Sequence, residues 1–494
     1  MLGVFLVLAS FAAWADSPTF DESHHLKYGA RLLSGDSNQF ETSYSPFASH
    51  MPFSALNALP KKIFSTPEPL DILQGRFITI LFSMLVALVV YRWAKELYGV
   101  WAARLSAFLY LFDPNILAHS HLTTTDIYAA GMIPFSFYCL WRFSKKSETP
   151  QAVLAACVIA LAQLAKYSAL FLYPAILIFP LIQRGQFKKW FRLFIFSLVA
   201  SWIIINAAYF FNQTFQPLDK YEFRSPVFKS VQSTFPNLIS PLPGPYLNGL
   251  DTQLDNQKEG TAFSNLYLLG KIHKTEPGYE GFRGYYPVVL FFKTPIALQI
   301  FLLWALVVYY RKKENRFFEN EVFLCFPVAL YLVYFCGFFK MQVGMRYLLV
   351  IFPLFAVFCG SILAGPITAG KKRFAGLLVG WFLVSGFSYF PHVISYSNEW
   401  VWNRLGAYKI FADSNLDWGQ DRGRAAAYMT AHPEVVRSPE KPVAGKILVS
   451  VNELTGVYDE ERYRWLRENF SPSARVAYSY LIFDVREEDL KRLA

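Results

Sequence analysis

Charged side chains in this sequence stand near the ends of apolar segments, where they could act together on one substrate. Asp21 and Glu22 follow the first apolar run, Asp126 ends the string LAHSHLTTTD, and Lys166 and Arg346 lie at the ends of later runs. A carboxylate could take the proton of an attacking hydroxyl or amine. Cations could bind a lipid phosphate and stabilise its negative charge as it leaves. Groups of both kinds together would suit transfer of a group from a lipid phosphate at a membrane surface, and sugar transfer from a polyprenyl phosphate is a reaction of this kind.

The composition is that of a membrane protein. Of the 494 residues, 54% are hydrophobic, 18% are aromatic and only 17% are charged. Such a composition with many long apolar runs predicts a polytopic helical protein. The net charge of +11 does not indicate a nucleic-acid partner, because the basic residues fall in short loops and form no basic stripe. The five cysteines lie within apolar runs without a CxxC pattern, so they predict no disulfide framework or zinc site.

Eleven apolar segments are candidates for membrane spans, some of them short: 1–14, 73–91, 102–118, 127–141, 152–167, 169–183, 193–211, 287–310, 321–338, 347–366 and 375–396. The connections on one side carry the basic residues Arg92, Lys95, Arg104, Arg142, Lys145, Lys146, Arg184, Lys188, Lys189, Arg192, Arg311, Lys312, Lys313, Arg316, Lys371, Lys372 and Arg373. All of them are cytoplasmic if the first helix runs outward. We therefore predict a multi-pass protein of the cytoplasmic (inner) membrane, with a retained first helix rather than a cleaved signal.

Larger connections lie on the opposite, extracytoplasmic side. Residues 15–72 and 212–286 are rich in Pro, Gly and aromatic residues, which predicts loops with short interfacial helices. From residue 397 the pattern changes to alternating helix-like and strand-like stretches. The sequence thus predicts a transmembrane catalytic domain over 1–396 and a small α/β domain over 397–494 outside the membrane.

This topology brings the candidate carboxylates and cations to one membrane level. Each of them also has a structural interpretation. Asp21 and Asp126 could cap helices, and Lys166 and Arg346 could extend towards lipid head groups. Their joint location is less easily explained by independent structural roles, because ionisable groups at membrane depth are costly.

Several longer strings resemble the membrane-embedded GT-C glycosyltransferases of the protein O-mannosyltransferase and aminoarabinose transferase type. FDES and AHSHLTTTD resemble the two acidic motifs of that family, and QLAKYSALFLYP resembles its lysine-containing hairpin. YYPVVLFFKTPIALQI and VGMRYLLVIFP resemble later segments. FADSNLDWGQDRGRAAAY is similar to a motif of a bacterial branch that carries a C-terminal domain. The resemblance implies an inverting enzyme that uses a polyprenyl-phosphate-linked sugar.

The resemblance also implies roles for individual residues. Asp21 matches the catalytic carboxylate, the general base of the family. Glu22 matches its acidic neighbour, which assists with acceptor binding, and Asp126 matches the acidic residue of the second motif. Lys166 and Arg346 match cations for the donor phosphate, with Lys293 as a weaker candidate. Metal dependence varies in the family, so a divalent cation is left open and no other cofactor is implied.

Five further residues have either an acceptor-binding or a structural interpretation: His119, His121, Asp417, Trp418 and Gln420. The two histidines could alternatively bind a metal. The acceptor could be a protein, a glycolipid or a polymer, and membrane lipid surrounds the protein. Two other functions remain alternatives to an enzyme, namely a lipid-linked sugar transporter or flippase and a non-catalytic envelope assembly protein.

Overall fold

The computed structural model describes residues 1–35, 51–67, 70–183, 185–259, 264–274, 280–311 and 316–492. It is mostly helical, with two small sheets. Among the predicted cytoplasmic basic residues, Arg184, Lys312 and Lys313 lie outside the described ranges. Parts of the two predicted outer loops, 15–72 and 212–286, also lie outside them.

The helices of the first half are α1 Leu2–Ala15, α2 Glu22–Ser34, α3 Ser54–Phe64, α4 Leu70–Tyr98, α5 Val100–Leu111, α6 Pro114–Ser120, α7 Asp126–Lys145, α8 Thr149–Ala162, α9 Leu172–Ile182, α10 Phe187–Ala208, α11 Pro226–Thr234 and α12 Gly244–Glu259. Those of the second half are α13 Tyr285–Lys293, α14 Ile296–Tyr310, α15 Val322–Gly337, α16 Ile351–Gly360, α17 Ala369–Phe387, α18 Arg422–Ala431, α19 Val451–Leu454, α20 Arg464–Asn469 and α21 Glu487–Lys491.

Each of the eleven predicted apolar segments contains a helix, but not all of these helices are long enough to span a membrane. Among the described residues, α4 and α10 have the length and composition of a span, and α13 with α14 would form a third. That third pair is bent by 102°. Pro295 lies in the break and cannot donate a backbone hydrogen bond, which explains the end of α13. The number of eleven spans stays a prediction.

The predicted segment 102–118 is also interrupted. The side chain of Asp113 accepts hydrogen bonds from the backbone N–H groups of Asn115 and Ile116, and Pro114 is the first residue of α6. An Asp cap followed by Pro is a strong helix start signal, so α6 begins as a new helix. After α6, a short loop leads to Asp126 at the start of α7.

Small residues let the central helices approach closely. A Cβ atom on Gly360 of α16 would lie 3.0 Å from the backbone oxygen of Ala102 on α5. A Cβ atom on Gly131 of α7 would lie 2.4 Å from a methyl carbon of Val86 on α4. Packing of this kind, with small residues at the contact, is how helices associate in membranes. It fixes α7, and with it Asp126, against the central helix α4.

The C-terminal part contains the larger sheet, formed by β3 Val436–Arg437, β4 Gly445–Ser450, β5 Ala474–Val476 and β6 Tyr480–Val485. The strand order is β3-β4-β6-β5, with β4 and β6 antiparallel. The two central strands are buried along most of their length. The smaller sheet pairs β1 Leu266–Leu268 with β2 Lys271–His273. The strand-like stretches predicted after residue 397 include GKILVSVNEL and RVAYSYLIFDV, which contain β4 and β6, but the end of the first, VNEL, forms α19 instead.

Candidate active site

One cavity of about 710 Å³ collects charged residues from distant parts of the chain. Its wall includes residues from the loop before α2, the start of α7, the turn after α8, the turn before α16 and the C-terminal part. The predicted site residues that line it are Asp21, Asp126, Lys166, Arg346, Asp417 and Trp418. Six of the eleven predicted residues thus share one space.

The first charged pair in the cavity joins Asp21 and Arg346. Arg346 donates a hydrogen bond from Nη1 to the Asp21 carboxylate. The Arg346 guanidinium also lies 4.6 Å from the ring centre of Trp418 and 5.3 Å from that of Tyr347. Aromatic faces attract a cation, so the two rings help to hold Arg346 beside the cavity.

The second charged pair joins Asp126 and Lys166 across 2.6 Å. Thr124 donates a further hydrogen bond to Asp126, and Lys166 lies 4.3 Å from the ring centre of Tyr347. Burial by itself would raise the pKa of Asp126, but the positive charges of Lys166 and Arg346 hold it below its usual range. Tyr347 contacts both cations, which places the two ion pairs side by side.

Glu22 does not line the cavity and is fully buried. Its carboxylate accepts hydrogen bonds from Arg76 at 2.6 and 2.8 Å. It also accepts from the backbone N–H groups of Thr19 at 2.8 Å and Thr123 at 3.0 Å. Glu22 therefore joins the segment that carries Asp21 to α4 and to the loop before α7.

The segment before Asp21 is also held by the C-terminal motif. The backbone N–H of Ser17 donates to the oxygen of Gln420 at 2.8 Å, and that of Phe20 donates to the oxygen of Trp418 at 3.0 Å. The side chain of Gln420 donates to the backbone oxygen of Leu416 at 2.7 Å and to the Ser395 hydroxyl at 3.1 Å, and in the described part of the chain no hydrogen bond joins it to Asp21. Residues 418–420 thus position Asp21 through the backbone.

Three further predicted residues lie outside the cavity lining. His121 contacts the Asp16 carboxylate at 3.1 Å and the oxygen of Leu117 at 2.8 Å. His119 packs its ring 5.7 Å from that of Trp418. The Lys293 ammonium is buried and donates to the backbone oxygens of Ile394 and Asn415 at 2.8 Å each. His119 and Lys293 thus contact the C-terminal motif, whereas His121 holds Asp16 at the end of α1.

The C-terminal side of the cavity adds seven residues to the six predicted ones that line it: Asp413, Arg422, Arg437, Asn452, Glu453, Tyr458 and Tyr480. Asp413 and Arg422 both lie within the motif FADSNLDWGQDRGRAAAY, which draws attention to them from sequence. The other five carry no motif signal, since only the folded sheet brings them to the cavity. Burial raises the pKa of Asp413 to about 6 and that of Asp417 to about 7.

Metal ligation was left open by the sequence. Across the ranges that the structure describes, no three His, Cys, Asp or Glu residues are grouped so that they could hold a metal ion.

Comparison with known proteins adds the fold. A family model described as dolichyl-phosphate-mannose-protein mannosyltransferase matches residues 60–210. The structure is similar to that of ArnT from Cupriavidus metallidurans bound to undecaprenyl phosphate, with a TM-score of 0.52, 13% identity, and coverage of 97% of this chain and 96% of that one. The chain has the GT-C fold. The predicted resemblance is thereby confirmed, and the protein is a membrane protein.

A second structure of the same fold is the apo oligosaccharyltransferase from Archaeoglobus fulgidus, with a TM-score of 0.50 and 15% identity. The match covers 87% of this chain and 59% of that one. No curated protein sequence matches this chain. Together, the family model and the GT-C fold support a glycosyltransferase.

Proposed function

We propose that this protein is an inverting glycosyltransferase that moves a sugar from a polyprenyl-phosphate donor to an acceptor hydroxyl or amine at the outer face of the cytoplasmic membrane. The observation that carries the proposal is the pairing of Asp21 with Arg346 and of Asp126 with Lys166 in one cavity. Both of the components that the reaction needs, a base and a phosphate site, lie there together.

The cavity also offers a place for the lipid. One part of its wall is apolar and includes Leu170, Phe171, Phe335 and Phe339. Leu170 and Phe171 directly precede α9, Phe335 lies in α15, and Phe339 follows it. Both helices are apolar. An isoprenoid chain would bury its apolar surface against them, with its phosphate directed to Lys166 and Arg346. ArnT, which shares the fold, was crystallised with undecaprenyl phosphate, and this supports such a donor.

Arrival of the donor would exchange partners within the ion pairs. The phosphate accepts hydrogen bonds from Arg346 and Lys166 in place of the two carboxylates. Asp21 is then free to accept the proton of the acceptor hydroxyl or amine. The acceptor atom forms a bond to the anomeric carbon as the bond from that carbon to the phosphate oxygen breaks. Polyprenyl phosphate leaves with the electron pair, and the anomeric configuration inverts.

The other predicted residues support this centre in our proposal. Glu22 positions Asp21 through its contacts with Arg76, Thr19 and Thr123, rather than by contacting the acceptor. Lys293 positions the C-terminal motif rather than the donor phosphate. The outer location rests on the basic residues of the opposite connections and on the charge bias of cytoplasmic loops.

Transfer of a labelled sugar tests the proposal. Membranes that contain the protein are supplied with polyprenyl-phosphate-linked sugars, and the product of the wild type is compared with that of Asp21→Asn. We expect transfer by the wild type and a loss of about 10²–10⁴-fold in the variant. Asp484→Asn, on an exposed part of β6, is the matched control and should transfer like the wild type. Equal transfer by Asp21→Asn and the wild type would contradict the role of Asp21.

A further inference from the structure

The C-terminal side of the cavity has a different chemistry from the ion-paired side. Asp413 and Asp417 both line it, and within the described residues neither of them forms an ion pair. Asp417 is 6% exposed and accepts a hydrogen bond from the backbone N–H of Gly419 at 3.0 Å. A carboxylate can accept about four hydrogen bonds, so Asp417 retains capacity for a ligand.

The backbone at Asp413 is held in an uncommon conformation. Its φ is +54°, in the left-handed region that few residues other than glycine adopt. Oδ1 of Asn452 accepts a hydrogen bond from the backbone N–H of Asp413 at 2.8 Å. Nδ2 of the same side chain donates to the backbone oxygen of Asp417 at 2.9 Å. One amide side chain therefore connects both acidic positions. Strain that is kept in place by such contacts is a feature of functional sites.

An exposed aromatic ring lies on the same side. Tyr458 lines the cavity, is 62% exposed, and touches the Asn452 amide through its hydroxyl at 3.5 Å. In the described part of the chain no ring and no cation packs on its face. By contrast, Trp418 and Tyr347 already have Arg346 against their rings. The ring of Tyr458 is thus available to a ligand.

We propose that this side of the cavity binds a saccharide, and that the acceptor is therefore a sugar hydroxyl of a glycan or glycolipid. Hydroxyl groups of a sugar ring would donate to the carboxylates of Asp413 and Asp417, and the apolar C–H face of the ring would lie on Tyr458. A polyhydroxyl ligand binds well when its hydroxyl groups find hydrogen-bond partners and its apolar face is covered at the same time. The proposal rests on the proposed glycosyl transfer and adds the class of its acceptor.

Two other occupants fit the same residues less well. A peptide side chain with a single hydroxyl would donate to one carboxylate and leave the second without a hydrogen bond from the ligand. An amine would attract both carboxylates, but Arg422 and Arg437 line the same side and would repel it. The sugar of the donor is the remaining source, and the experiment separates it from an acceptor sugar.

Binding is measured first, because it does not require activity. The full-length protein in lipid nanodiscs is mixed with methyl glycosides of glucose, galactose, mannose and N-acetylglucosamine, and saturation-transfer NMR detects binding. We expect a signal from at least one glycoside, with loss of that signal in Asp417→Asn and in Tyr458→Ala. Tyr458→Phe keeps the ring and should keep the signal. No signal from the wild type, or an equal signal in Asp417→Asn and Tyr458→Ala, would overturn the proposal.

A transfer experiment then distinguishes acceptor from donor. Labelled product from membranes is analysed for its linkage, and we expect a new bond between two sugars that is reduced in Asp417→Asn while binding of undecaprenyl phosphate is retained. Label on a protein hydroxyl or on a non-sugar head group would overturn the saccharide acceptor and leave the glycosyltransferase intact. A glycoside signal that is lost in Arg346→Gln but kept in Asp417→Asn would place the sugar on the donor side and also overturn it. Absence of any transfer by the wild type, with glycoside binding present, would count against the proposed function instead.

Discussion

The two sides of the cavity carry carboxylates in opposite electrostatic settings. On the side of the membrane helices, Asp21 and Asp126 are each paired with a cation. On the C-terminal side, Asp413 and Asp417 have no ion pair within the described residues, and burial raises the pKa of both. The first arrangement suits a ligand that brings its own negative charge, because a phosphate can replace the carboxylates. The second suits a neutral ligand with hydroxyl groups.

The aromatic residues follow the same division. Tyr347 and Trp418 lie against the cations of the ion-paired side. Tyr458, on the other side, presents an exposed face. The difference indicates that one set of rings holds protein cations in place, whereas the other is open to a substrate.

The largest expected effect comes from breaking the buried pair behind Asp21. Glu22→Gln would leave the Arg76 guanidinium buried without a carboxylate, since the pair is 0% and 1% exposed. Removal of one partner of such a pair costs about 3–5 kcal/mol of unfolding free energy. Thermal unfolding of the purified protein would measure it, with Glu468→Gln, an exposed surface residue, as the control. An unchanged midpoint would show that this pair does not hold the segment of Asp21.

Removal of one cation should weaken binding of the donor and leave binding of the acceptor unchanged. Lys166→Gln removes a charge-assisted hydrogen bond, which contributes about 1.5–3 kcal/mol. This loss corresponds to an increase of about 10- to 150-fold in the donor KM. Steady-state transfer kinetics with varied donor would measure it. Lys409→Gln removes an exposed lysine outside the cavity lining and should leave the donor KM unchanged. An increase confined to the acceptor KM would reverse the assignment of the two sides.

A smaller effect is expected from the ring that lies against Arg346. Trp418→Leu removes a cation–π contact worth about 0.5–2 kcal/mol, which corresponds to about 2- to 30-fold in the donor KM. Trp418→Phe retains an aromatic face and should recover part of the loss. If the leucine and phenylalanine variants behave alike, the contact in question is packing and not attraction between the ring and the cation.

The last expected effect concerns pH and stability. Burial raises the pKa of Asp417 to about 7, above the usual range of an aspartate. As the pH rises from about 4 to 7, the unfolded chain loses this proton before the folded one does, so the carboxylate makes the fold progressively less stable. Asp417→Asn should therefore gain more in unfolding temperature over the wild type near pH 8 than near pH 5. A difference that does not change with pH would contradict the buried setting of Asp417, in which no ion pair forms among the described residues.

Much of the fold and one side of the cavity were predictable from sequence. Apolar runs predict the helices, and acidic or basic residues at their ends predicted Asp21, Asp126, Lys166 and Arg346, which the structure brings to one cavity. A break such as that at Pro295, with its 102° bend, is hidden within a run of apolar residues. Periodicity alone gives no bend angle.

The C-terminal side was less predictable for a physical reason. Tyr458 and Arg437 reach the cavity only because β3, β4 and the turn after α19 pack together, and long-range pairing leaves no local pattern at these residues. Glu22 shows the converse limit. The family resemblance implied that Glu22 assists with acceptor binding, but its partner in the fold, Arg76, is far away in sequence.

The most direct measurement of this account is the binding of undecaprenyl phosphate to three forms of the protein. Wild type, Arg346→Gln and Asp417→Asn would be compared in nanodiscs by titration. The account predicts that Arg346→Gln loses affinity by about tenfold or more, as expected for a charged hydrogen bond, whereas Asp417→Asn binds like the wild type. Equal affinity of Arg346→Gln and the wild type, or a loss confined to Asp417→Asn, would contradict the division of the cavity into a phosphate side and an acceptor side.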